Sequence, residues 1–232
     1  MTTDSKSIRT LINALKQKGY KVFEEPYKLN IVGVRKDSSE SNKFDDKIYA
    51  FWKDDKGQWD GKWWTVTTDP GTYYLKNPLS NLGAAILKEG QYIDGWKFGK
   101  HKGQYDALTQ NKPVTVIRDY DRNAVLDFNN GREETGQFGI NIHKAGKDSK
   151  DVDQWSAGCQ VFQKSDDFAS FMELVRKQRE KYGDKFTYTL IDERAYNRAL
   201  KRYGAYLLGG VVAVAAIWVG IRTFRNKSIT KL

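Results

Sequence analysis

From Tyr20 to Asn141 the chain is cut into short apolar and aromatic runs, a rhythm that argues for sheet rather than helix. LNIVGVR (29–35), KIYAFWK (47–53), KWWTVTT (62–68), VTVIRDY (114–120) and FGINIH (138–143) are rich in β-branched and aromatic side chains, which fit a pleated, half-buried surface. Asp54-Asp55, Pro70-Gly71 and Asn129-Asn130-Gly131 punctuate them, as hairpin connections require. FTYTLI (186–191) reads as a last strand. The expected architecture is therefore mainly β with a few helices.

The helices have their own signatures. Ile8, Leu11, Ile12 and Leu15 recur at helical spacing, so residues 4–18 are predicted to form an amphipathic helix packed on the domain, with Asp4, Ser5 or Ser7 as cap and Gly19 as stop. Leu79–Leu87 is read as a further helical turn. A second amphipathic helix should start at Ser165 as cap, with Asp166 and Asp167 at its positive end, an apolar stripe of Phe168, Phe171, Met172 and Val175, and Gly183 as terminator. Residues 193–204 are a charged, helical connector, and Ala205–Ile221 carries no charged residue at all. With Tyr203 and Gly204 that run approaches the ~20 residues a bilayer-spanning helix needs. Tyr203, Tyr206 and Trp218 near its ends suit the membrane interface. The division predicted is 1–19 N-terminal helix, 20–192 domain, 193–204 connector, 205–221 transmembrane helix and 222–232 basic tail. Ala205, Gly209 and Ala213 would present a small-residue face on which two anchors pair, a route to a homodimer.

The net charge is +10 over 232 residues, which favours an anionic partner. The basic residues are dispersed and no nucleic-acid motif accompanies them, so nucleic acid is not the expected partner. Thr2–Ser7 carry no apolar run, and no cleavable signal peptide is expected. The single cysteine excludes an internal disulfide and a multi-cysteine zinc site. A lone cysteine is by default a small buried hydrophobe, so its neighbours decide whether it does chemistry.

Those neighbours are FGINIHKAGKDSKDVDQWSAGCQVF, residues 138–162. An alternating run delivers His143 at a strand end, a polar loop follows, and Trp155-Ser156-Ala157-Gly158 leads into Cys159. A thiol is mostly protonated at neutral pH and needs a base or a positive neighbour; imidazole is the usual one. Small residues before the nucleophile let the backbone amides of Ala157, Gly158 and Cys159 approach a developing oxyanion. By spacing alone, a buried cysteine beside a structural histidine remains open.

The stretch resembles the signature of the L,D-transpeptidase catalytic domain family (YkuD type): a strand-end His, a loop, then Ser/Thr-His-Gly-Cys. His143, Ser156, Gly158 and Cys159 match in order, strongly over 138–162 and loosely over 90–192, and the form Trp-Ser-Ala-Gly-Cys-Gln is similar to phage or Bacteroidetes variants. The family's second His falls at Ala157, and its Arg two residues after the Cys is Val161 here. The resemblance implies a β-sandwich or barrel and peptidoglycan stem peptides as substrate. It implies a Cys159 acyl-enzyme passed to an amine or to water, with His143 taking the thiol proton and returning it to the leaving amine. The chain is then expected as a single-pass membrane protein whose domain faces the bacterial wall, a surface whose anionic character suits the charge. The basic residues flanking 205–221 lean toward a cytoplasmic tail; virion or lysis delivery would remove the need for export.

An inactive wall-binding or structural protein that keeps the fold is the alternative, favoured by the missing Arg. A zinc amidohydrolase using His101 and His143 lacks any local ligand pairing, and no metal or cofactor is expected. His101 and Trp155 are candidate cleft residues, although the Gly- and Lys-rich surroundings of His101 predict exposure. Asp119, Asp121 and Asp127 lack a calcium-loop pattern and are read as turn and surface residues. Trp59, Trp63 and Trp64 have strand spacing and are read as packing residues, with glycan stacking as the alternative.

Overall fold

A computed structural model of the chain describes residues 1–129, 131–147 and 149–202. Helix α1 (Ser5–Gln17) precedes β1 (Asn30–Arg35), β2 (Asp46–Lys53) and β3 (Trp59–Thr67); a short helix α2 (Thr72–Lys76) leads to β4 (Ala84–Leu87) and β5 (Gly90–His101). Then come β6 (Tyr105–Gln110), β7 (Val114–Asp119), β8 (Glu133–Gly136), β9 (Ile142–Lys144), a 3-10 turn (Asp153–Trp155), β10 (Gln160–Phe162), α3 (Ser165–Tyr182) and β11 (Lys185–Asp192). Residues 193–202 are helical.

The fold is mainly β. Strands close into a barrel in the order β1-β11-β5-β6-β9-β10-β3-β2, and β4-β7-β8 form a separate three-stranded sheet. The β1–β11 and β9–β10 pairs are parallel and the others antiparallel. The β2–β3 hairpin turns where Asp54 Oδ1 accepts from Lys56 N and Gln58 N and Gly57 takes a positive φ, the local chemistry that its Asp-Asp signal implied.

Strands β1 and β2 are buried on both faces, which explains their nearly continuous apolar sequences. Ile31, Ile48, Ala50 and Trp52 join Trp64, Trp96 and Tyr188 in the main core. Val32, Val34, Tyr49 and Phe51 meet Ile8, Leu11 and Leu15 of α1 in a second cluster, with Ala195 and Ala199 from the terminal helical segment. α3 covers the barrel through Phe171, which packs edge-on against Trp64 at 5.6 Å and beside Phe162 at 5.0 Å. Trp64 is thus core, whereas Trp59 and Trp63 are half-buried against the α1 cluster.

Several expectations change. Residues 79–87 make no helical turn: Ala84–Leu87 is strand β4, paired with β7 because all four residues are buried between layers, and the helix lies earlier, at α2. The cap of α3 is Lys164, not Ser165; the Ser165 hydroxyl reaches back to Gly146 O and accepts from Lys144 Nζ. FGINIH is strand only at its end, because Gly139 adopts φ 71 and the Gln110 side chain takes the amides of Phe138 and Ile140. Asp119 is buried, not a surface residue: Oδ2 accepts from Asp127 N, and desolvation pushes its carboxyl up to about 6. Asn130 of the predicted hairpin turn, and the run 205–221 with its pairing face, lie outside the described residues; among those described, no helix is long and apolar enough to cross a membrane.

A buried polar network ties β1, β2 and β3 to the segment before the cysteine. Arg35 Nε lies 2.9 Å from Asp69 Oδ1 and 3.0 Å from Thr68 Oγ1. Asp46 accepts from Thr68 N, Thr68 Oγ1 and Lys36 N. Burial, and then the neighbouring Asp69 carboxylate, push Asp46 up to about 7. The folded state therefore holds a proton on Asp46 that the unfolded chain releases near pH 4. That contribution to stability is complete below about pH 4 and is lost as pH rises through about 7. Urea titrations of the wild type should show it, Asp46 adding at most about 1.4 kcal/mol per pH unit to a slope that buried Asp119 also feeds. Asp69→Asn should flatten the profile between pH 5 and 8; an unchanged slope in the variant would refute the coupling.

Candidate active site

The site begins with the β9–β10 ladder. Gln160 pairs with Ile142, Val161 with His143 and Phe162 with Lys144, in parallel. The amide of Gln160 donates to Asn141 O at 2.9 Å and extends the pairing toward the cysteine. Paired residues of neighbouring strands point to the same side, and side chains alternate along each strand. His143 and Cys159 therefore share one face of the barrel wall. Both line a cavity of about 360 Å³, together with His101, Asn141, Trp155 and Arg118.

Sequence and fold agree on why the turn before Cys159 is built of small residues. Gly158 has φ 126, and a Cβ there would lie 2.2 Å from Ala85 O of β4. Glycine is thus demanded both by conformation and by the close approach of the small sheet. Ser156 is fully buried; its hydroxyl donates to Cys159 O at 2.8 Å and accepts from Gly158 N at 3.1 Å. Ser156 thus clamps the turn. The Gly158 amide is taken by the Ser156 hydroxyl, whereas Ala157 N and Cys159 N make no hydrogen bond among the described residues. Below the turn, buried Gln160 donates to Thr68 O and Gly158 O and accepts from Tyr188 Oη.

His143 is buried. Its Nδ1 lies 2.9 Å from Lys144 O, a carbonyl that can only accept, so Nδ1 carries the proton and Nε2 is the free base. Tyr105 Oη stands 3.4 Å from the same Nδ1 and donates to Lys144 O. Desolvation pushes His143 down to about 3, with His101 and Lys102 adding to the shift. Cys159 is half-buried, and its thiol is raised by desolvation; the Asn141 amide, 3.4 Å from Sγ, and then Lys102 oppose the rise. The thiol's own contact is with Gly139 O at 3.7 Å. In this resting arrangement, neutral imidazole and neutral thiol share the cavity without a hydrogen bond between them.

His101 departs from expectation: it is buried, not exposed. The β5–β6 hairpin turns through Lys102 and Gly103, both at positive φ, which sets His101 opposite Tyr105. The His101 ring stacks on His143 with centroids 3.9 Å apart. The spacing His101–Lys102-Gly103–Tyr105 carried this hairpin signal, and the pairing of its ends across the turn could have been read from it. Asn141, Lys102 and Arg118 had no such local signal. Trp155 is exposed and lines the cavity. Val161, where the resembled family has Arg, is buried with Phe44, Ala145 and Val152. A guanidinium instead enters the cavity wall from β7, where Arg118 is held by Glu134 at 2.8 Å and by Gly83 O at 3.2 Å. Among the described residues no group of His, Cys, Asp and Glu is arranged to hold a metal.

Comparison with family models, with curated proteins and with solved structures returns no match.

The protonation states predict the thiol's pH profile. Alkylation of Cys159 by iodoacetamide should rise continuously beyond pH 9, with no plateau between pH 6 and 8 of the kind a preformed thiolate–imidazolium pair produces. His143→Ala should be slower near pH 7 and converge with the wild type at high pH, where the thiol ionises unaided. A plateau near neutrality in the wild type would contradict the neutral pair.

Proposed function

We propose that the chain is a cysteine acyl-transfer enzyme acting on peptidoglycan stem peptides, in the manner of the L,D-transpeptidase family that residues 138–162 resemble. The observation that supports it most is the neutral, Nδ1-protonated His143 sharing a cavity wall with Cys159 across a parallel strand pair. Because both partners are uncharged at rest, the thiol proton passes to His143 Nε2 as Sγ attacks the peptide carbonyl, in general-base fashion. Collapse expels the stem-peptide amine, which takes the proton back from Nε2, and an acyl-thioester forms on Cys159. An amine acceptor then gives a crosslink and water gives hydrolysis. In this reading Lys102 and Arg118 give the cavity a cationic rim suited to the carboxylates of stem peptides. The run 205–221 anchors the chain, with the domain facing the wall.

A second reading is a wall-binding protein that keeps the fold without turnover. The raised Cys159 thiol and the apolar setting of Val161 favour it.

Incubating the chain with purified wall fragments and reading the muropeptides by mass separates the two. The enzyme reading expects new crosslinked or trimmed stem peptides, reduced at least about 10³-fold in Cys159→Ala and in His143→Ala. Unaltered fragments that nonetheless co-sediment with the chain would support binding alone.

A further inference from the structure

The oxyanion side of this site lacks a donor that the turn sequence led one to expect, because Gly158 N is spent on Ser156. The Ala157 and Cys159 amides are both open, but only Cys159 N belongs to the residue that carries Sγ, and tetrahedral acyl intermediates are held by more than one donor in the usual arrangement. A side-chain donor with no assigned work lines the same cavity. Gln110 N donates to Asn141 Oδ1 at 3.1 Å, which fixes the amide's orientation and turns Asn141 Nδ2 toward His101 Nδ1, 3.2 Å away. Nδ1 of His101 is therefore the acceptor, and its proton sits on Nε2. The side-chain hydrogen bond of His101 runs through Nδ1, and Nε2–H makes none among the described residues. The two stacked rings thus have opposite tautomers: His143 offers a bare nitrogen and His101 offers an N–H. Asn141 couples them to the nucleophile, since its backbone amide touches Sγ while its side chain sets His101.

We propose that His101 is a catalytic residue of this site, its Nε2–H joining the Cys159 amide as the second donor to the acyl oxygen. The proposal rests on the acyl-transfer reading of Cys159 and His143. As Sγ bonds to the carbonyl carbon, the π pair moves onto oxygen and the thiol proton moves to His143 Nε2. His101 donates a hydrogen bond to that oxygen and transfers no proton. When the carbonyl re-forms, the leaving group departs and the His101 bond weakens again. The stack also gives His101 a position that a purely packing ring would share, so the test must separate the donor from the ring.

On the full-length chain, Cys159 is acylated with p-nitrophenyl acetate and, in parallel, alkylated with iodoacetamide, a displacement that develops no oxyanion. His101→Phe keeps the ring and removes the donor; His101→Gln restores an N–H. Acylation of the Phe variant should fall about 10²–10³-fold, alkylation should stay within a few-fold of wild type, and Gln should recover part of the acylation rate. Equal losses in both reactions, no loss of acylation, a Gln variant as slow as Phe, or wild-type alkylation without acylation would overturn the proposal. A Phe variant that fails to fold is replaced by His101→Leu, read the same way. The underlying reading fails separately, if wild-type alkylation near pH 7 is indifferent to His143→Ala.

Discussion

Everything at the site hangs on one short parallel pairing, β9 against β10. Each strand contributes only three residues, and the pair survives because the barrel flanks it on both sides: β6 holds Ile142 through Leu108, and β3 holds Val161 and Phe162 through Thr67 and Val66. Parallel neighbours cannot be joined by a tight hairpin and need a crossover. That crossover, residues 145–159, is where Trp155, Ser156, Gly158 and Cys159 reside. A one-residue slip in the register would send the sulfur to the opposite face of the wall from His143. The bulk of Phe162 and Ile142 in the core makes such a slip costly.

Beneath that pairing lies an uncommon concentration of buried polar groups. Arg35, Asp46, Thr68, Asp69, Gln160 and Tyr188 are all buried, and their hydrogen bonds run from β1 to the residues flanking Cys159. Such groups are tolerated when paired: most of these are hydrogen-bonded, while Asp69 Oδ1 meets Arg35 as an ion pair without a hydrogen bond. The turn at Ser156–Cys159 is held from below through Gln160 and from the side through the close approach of β4. Above it, the environment is dry enough to keep both imidazoles and the thiol neutral. Such surroundings disfavour a resting thiolate–imidazolium pair, since charge separation in a desolvated pocket is expensive.

Much of the fold was legible because it is local. Strands β1, β2, β3, β7 and β11 follow from short β-branched and aromatic runs between turn residues, and helices α1 and α3 from helical spacing, signals that tertiary packing reinforced. Where the reading failed, a distant group had intervened. Phe138–Asn141 is held in irregular form by Gln110 and by Trp96, whose Nε1 donates to Ile140 O. Ala84–Leu87, within the stretch read as a helical turn, became strand because β7 offered it a partner. β5 and β6 carry less apolar patterning, having polar residues on a half-exposed face, and were hidden for that reason.

By itself the sequence determined that the chain is mainly β with amphipathic helices over 4–18 and between Ser165 and Gly183, and that one cysteine follows a tight turn of small residues downstream of a histidine. Periodicity and turn chemistry act between near neighbours, so they can be read without coordinates. Only the tertiary structure decided that the strands close into a barrel, that His101 is buried on His143, that Ser156 spends the Gly158 amide, and which ring nitrogen is left bare. Those outcomes depend on register, burial and hydrogen-bond partners supplied from residues tens of positions away, which no local pattern encodes.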